Sequence, residues 1–140
     1  MIALIKFSMK HLVDSSVWVG LFLDFDVQHR KAVQLVHKLK GVLYIPYCVL
    51  NEVATVLAYK HSKAQADQFL DYIAENRDIK LVSDSSEEEI RFYRTISQRI
   101  SFTDAALLYL SETLDAELVT FDRQLNRIAK KRFWLNIISL

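Results

Sequence analysis

Four short apolar runs, HLV (11–13), VLYIP (42–46), IKLV (79–82) and ELVTF (117–121), are each followed by residues at helical spacing. No hairpin turn joins one run to the next, and that alternation constrains the fold more than any other feature. Antiparallel strands close through tight turns built on Gly or Asn, whereas parallel strands need a long crossover, usually a helix. With two glycines and one proline in 140 residues, tight turns have little material. The pattern predicts an α/β fold of three layers, α/β/α, around a mainly parallel central sheet.

The intervening segments read as helices. SSVWVGLFL (15–23) starts at a serine cap, VQHRKAVQLVHKLK (27–40) stops at Gly41, and VLNEVATVLAYK (49–60) follows Pro46. SKAQADQFLDYIAEN (62–76) opens on Ser62, and SSEEEIRFYRTIS (85–97) opens on three glutamates that suit the positive end of a helix dipole. FTDAALLYLSETL (102–114), with Thr103 as its expected cap, and the basic RQLNRIAKKR (123–132) complete the set, and LNIISL (135–140) is expected as an edge strand. Residues 1–8 read as an N-terminal extension and 9–140 as one domain, since no linker or repeat divides the chain.

Composition removes several function classes. The net charge of +1 gives no global attraction for nucleic acid, so any such binding rests on a local patch. One cysteine, Cys48, excludes an internal disulfide framework and suits a reducing, cytoplasmic setting; its apolar context reads as a buried, inert thiol. The histidines at 11, 29, 37 and 61 form no zinc-ligand pattern. The apolar start is too short to span a membrane, which takes about 20 residues, and no membrane association is expected.

In parallel sheets ligands bind beyond the carboxyl ends of the strands. Asp14 ends the first strand and Asp122 the fourth; Glu52 lies one turn into the helix after the second, and Asp104 in the first turn of its own helix. Singly, Asp14 and Asp122 are good helix caps, worth about 1 kcal/mol each, Asp104 complements a helix dipole, and Glu52 fits the solvated border of an apolar face. If the four converge, their mutual repulsion requires protonation or a cation. Hard oxygen donors without histidine or thiolate favour Mg²⁺ or Mn²⁺, and phosphodiester hydrolysis is the natural chemistry of such an ion.

VDSSVW (13–18), NEVATVL (51–57), FTDAALLYL (102–110) and LVTFDRQL (118–125) resemble, in order, the four acidic motifs of PIN domains, most of all those of VapC-type toxin ribonucleases. The resemblance runs from Met9 onward and implies a PIN-like fold. It makes Asp14, Glu52, Asp104 and Asp122 the metal-binding and catalytic quartet, with Ser15 and Thr120 in support. It further implies one or two Mg²⁺ or Mn²⁺ ions, an RNA substrate, a cognate antitoxin and a homodimer. Glu52 is left as either a ligand or a group orienting the attacking water.

Beyond the quartet, two readings stand for each surface. Arg123, Arg127 and Lys130 to Arg132 are phosphate contacts or a solvated helix face; Arg91, Arg94 and Arg99, with Phe92 and Tyr93 between, are an RNA surface or helix and core residues. LFLDFD (21–26) belongs to the antitoxin groove that the family implies, or completes the core. Two alternatives to a toxin remain: a PIN nuclease of RNA processing or turnover, and a phospho-receiver-like binding module. The receiver fits poorly, since Asp14 is followed by Ser15 and Ser16 rather than a second acid.

Overall fold

The computed structural model describes residues 9–83 and 85–139, with side chains as far as Trp134. Strands β1 (Lys10–Val13), β2 (Val42–Pro46), β3 (Ile79–Val82) and β4 (Glu117–Val119) form one sheet in the order β3-β2-β1-β4, and every pairing is parallel. Helices α1 (Ser15–Phe22) and α2 (His29–Lys38) lead from β1 to β2, and α3 (Tyr47–Lys60) and α4 (Lys63–Glu75) from β2 to β3. Helices α5 (Ser86–Thr95) and α6 (Phe102–Leu114) lead to β4, and α7 (Arg123–Ser139) follows it. The chain therefore steps one way from β1 to β3 and then back past β1 to β4. With right-handed crossovers, that reversal puts the third connection on the opposite face of the sheet, which gives the three layers.

Burial follows position in the sheet. His11, Leu12 and Val13 of the central β1 are all buried, whereas edge strand β3 exposes Lys80 and Leu81. On one face Trp18 packs against Phe22, Phe69 and Tyr72, with ring centroids 5.9–6.5 Å from its own. Burying such a side chain stabilises the fold by roughly 1.5–3 kcal/mol. Gly20 lets α1 approach α2, because a Cβ there would sit 3.3 Å from the Ala32 Cβ. Gly41 has φ +95°, and a Cβ would fall 2.1 Å from the Met9 carbonyl oxygen, so only glycine fits where β2 joins β1.

Three local expectations are corrected. The stretch 135–139 continues α7 instead of forming an edge strand; neither glycine nor proline follows Arg132 to stop the helix. The cap of α6 is Ser101, whose Oγ accepts from Asp104 N at 3.0 Å, not Thr103, which already lies inside the helix. Asp14, rather than a serine, caps α1. The expected extension 1–8 lies outside the described residues.

Candidate active site

The fold brings the ends of β1 and β4 side by side. Register pairs Val13 with Val119, and Asp14 N extends the ladder by donating to the Val119 carbonyl at 2.9 Å. Asp14 and Thr120 thus leave adjacent strands at the same level, beside the point where strand order reverses. Crevices at such switch points are where open α/β sheets bind ligands.

Asp14 is buried, 6% exposed, and its carboxylate is held on both oxygens. Oδ1 accepts from Ser15 N at 2.6 Å and from Ser15 Oγ at 3.2 Å; Oδ2 accepts from Ser16 Oγ at 3.2 Å and from Thr120 Oγ1 at 2.6 Å. Thr120 Oγ1 in turn accepts from Asp122 N at 3.1 Å, and the Thr120 carbonyl accepts from Asn126 Nδ2 at 2.9 Å. Ser16 Oγ also accepts from Phe121 N at 3.4 Å. One network therefore fixes the first acid, the turn after β4 and the start of α7 relative to one another. Asp122 caps that helix, its Oδ1 accepting from Leu125 N at 3.0 Å, while its side chain remains exposed.

The other two acids arrive on helices. Asp104 sits in the first turn of α6, and Glu52 in α3, where Val49, Val53 and Leu57 are buried and Glu52 and Thr55 are exposed. Asp14, Glu52, Asp104 and Asp122 all line one cleft of about 710 Å³. Asn51, Thr55, Ser101 and Thr103 line it too, with Ser15, Ser16, Cys48 and Val56, and no lysine or arginine is among these residues. Cys48 is half-buried in that wall, more accessible than its apolar sequence context suggested.

Burial and the neighbouring negative charge act together on Asp104. Burial, then the carboxylates of Asp14 and Asp122, and to a smaller degree Glu52, push its pKa above the ordinary aspartate value; a hydrogen bond with Ser101 pulls the other way. Among the described residues no three acidic, histidine or cysteine side chains are closed around a single metal position. The donor set is still the kind Mg²⁺ uses, since that ion retains several waters and takes only one or two carboxylates directly. No helix among the described residues is long and apolar enough to cross a membrane.

The surfaces flanking the cleft divide. Arg132 is half-buried: its Nε and Nη2 donate to Glu112 at 2.6 and 3.2 Å, and its guanidinium lies 4.7 Å from the Phe92 ring centroid, so it braces α7 on α6. Arg123, Arg127, Lys130 and Lys131 are exposed. Phe92 packs on Tyr109, with centroids 5.6 Å apart, whereas Tyr93 is exposed. Within LFLDFD, Leu23 is buried, Leu21 and Phe22 are half-buried against the core, and Phe25 is 61% exposed, its ring stacked over His61. Sequence reasoning named Ser15 and Thr120 but missed Ser16 and Asn126. Asn126 stands one turn after Asp122, a spacing that points it back at the helix start.

Similar structures exist. The VapC20 toxin of Mycobacterium tuberculosis, a sarcin–ricin loop cleaving toxin, superposes with a TM-score of 0.76 at 19% identity, over 84% of this chain and 94% of that one. VapBC2 from Rickettsia felis, solved bound to a DNA fragment from their promoter, gives 0.63 at 15% identity over 85% and 92%. PAE2754 from Pyrobaculum aerophilum gives 0.55 at 21% identity over 83% and 82%. No curated protein sequence matches. The family profile of the PIN domain matches residues 11–131, a span that contains all four cleft acids, and the chain belongs to the PIN-domain family.

Proposed function

We propose that this protein is a divalent-metal-dependent endoribonuclease, the toxin of a toxin–antitoxin pair, and that Asp14, Glu52, Asp104 and Asp122 hold Mg²⁺ or Mn²⁺ and carry catalysis. The observation that carries this reading is the meeting of four acids from distant segments in one cleft whose lining, among the described residues, has no lysine or arginine. Burial, and then repulsion from the neighbouring carboxylates, raises the pKa of Asp104, and a cation relieves that repulsion. When bound, that cation neutralises charge on an RNA phosphate and activates water for attack.

The chain's own residues have separable tasks. Asp14 is the fixed ligand, its orientation set by Ser15, Ser16 and Thr120. Asp104 and Asp122 complete the donor set from two helix starts. Glu52, exposed and without a hydrogen bond among the described residues, accepts a proton from water in the cleft or binds the ion. The likeness to VapC20 and VapBC2 supports the toxin role, an RNA target and an antitoxin partner; a second copy of the chain as partner rests on the family resemblance alone. The domain would begin near Met9.

Purified protein incubated with total RNA should cut it with Mg²⁺ or Mn²⁺ and not with EDTA, and Asp14→Asn and Asp104→Asn should not. Equal cutting by all three proteins would overturn the assignment. Growth arrest on expression, relieved by co-expressing a protein encoded beside it, separates a toxin from an RNA-processing nuclease.

A further inference from the structure

Two neighbouring aromatic residues of α5 have opposite fates. Phe92 is half-buried between Tyr109 and the Arg132 guanidinium, an ordinary packing role. Tyr93 is 40% exposed and lies against Phe102, itself 46% exposed, with ring centroids 5.4 Å apart and planes tilted by 58°. Phe102 is the first residue of α6, held between Ser101 and Thr103, both of which line the acidic cleft. An aromatic pair with solvent-exposed area therefore adjoins the segment that forms one wall of the cleft.

The surrounding charge fits a polyanion. Arg94 follows Tyr93, and Arg99 lies in the segment that ends at Ser101; both are exposed, and neither forms an ion pair among the described residues. Among the described residues the cleft lining supplies no cation of its own. The segment that carries Phe102 and Arg99 into the cleft wall at Ser101 thus offers both exposed cations and flat apolar faces.

We propose that Tyr93 and Phe102 form a stacking platform for an unpaired nucleobase next to the phosphate in the cleft, with Arg94 and Arg99 holding the adjoining backbone. This rests on the ribonuclease reading above and adds a specificity to it. A base within a duplex is already stacked, so the platform favours single-stranded loops and ends. Stacking on an aromatic face tolerates any base, so selectivity is for exposure more than sequence.

The test uses a fluorescent, unstructured oligoribonucleotide taken from a region that the protein cuts in total RNA, and a copy with an abasic site beside the cut. Binding is read by anisotropy with Ca²⁺ in place of Mg²⁺, and cleavage by kcat and KM with Mg²⁺. Phe102→Leu and Tyr93→Leu keep apolar bulk but lose the ring face. Each should weaken binding and raise KM roughly 10-fold with little change in kcat, Phe102→Trp should restore both, and the abasic copy should erase the difference between wild type and Phe102→Leu. Cleavage by wild type with unchanged binding and KM in both leucine variants would remove the platform and leave the nuclease reading intact. Ring-dependent binding without cleavage would do the reverse. Loss of binding to a protein partner, with RNA binding unchanged, would mark the face as a protein contact and overturn the proposal.

Discussion

The two sides of the cleft are built differently. On the β1–β4 side, Asp14 is buried and its carboxylate accepts four hydrogen bonds from Ser15, Ser16 and Thr120. On the helical side, Asp104 is half-buried with a raised pKa, and Glu52 is exposed without a hydrogen bond among the described residues. The Asp14 charge is held by four protein donors, whereas Asp104 has a side-chain hydrogen bond with Ser101 alone and Glu52 none among the described residues. An anchor fixed by the fold, facing carboxylates with few protein partners, lets a site be preorganised without being self-contained.

The comparison breaks most visibly at the anchor. Asp14→Asn should lower metal-dependent RNA cleavage by roughly 10²- to 10³-fold, the scale of losing one fixed electrostatic group. It should also lower stability by about 1–3 kcal/mol, since an amide cannot accept on both positions and leaves a buried hydroxyl unsatisfied. Chemical denaturation together with single-turnover kinetics measures both.

Next in size is Thr120→Val, which removes the hydroxyl that donates to Asp14 and accepts from Asp122 N. Activity should fall by about 10- to 100-fold, the usual cost of losing a group that orients a metal ligand. The metal dependence of the rate should shift to higher Mn²⁺ concentration, whereas damage from misfolding alone would leave that midpoint in place.

The helical side should respond with the opposite sign in stability. Asp104 has a folded pKa above its unfolded one, so its favourable contribution is fully present below the unfolded value and is lost as pH rises through the folded value. At neutral pH, metal-free Asp104→Asn should therefore melt higher than wild type, and the gap should close as the buffer is acidified. A rise of about 1–2 °C is expected, small because water screens a half-exposed carboxylate. The smallest effect on activity is expected from Asn126→Ala, which loses one hydrogen bond to the Thr120 carbonyl and about 0.5–1.5 kcal/mol of stability. Thermal denaturation with activity near wild type would match that supporting role.

Strand-to-helix junctions made the acids legible in the sequence: a residue that caps a helix after a parallel strand must also stand at the sheet's carboxyl edge. Asp14 and Asp122 were readable for that reason, and Glu52 from lying one turn into the helix that follows the second strand. Ser16 was not, because its second partner, Phe121 N, comes near only through the register of β1 on β4. The segment LNIISL misled through the β-propensity of its isoleucines, where the absence of a helix breaker decided the outcome. Tyr93 and Phe92 are adjacent and similar in sequence; only the packing of α6 and α7 separates a core ring from an exposed one.

The central claim is that the anchor is complete and the facing acids are not, and Mn²⁺ titration followed by thermal denaturation tests it most directly. Wild type should start lower than Asp104→Asn without metal at neutral pH and rise with Mn²⁺ by mass action, while Asp104→Asn should start higher and barely respond. A variant that starts no higher than wild type and gains as much from Mn²⁺ would contradict the account.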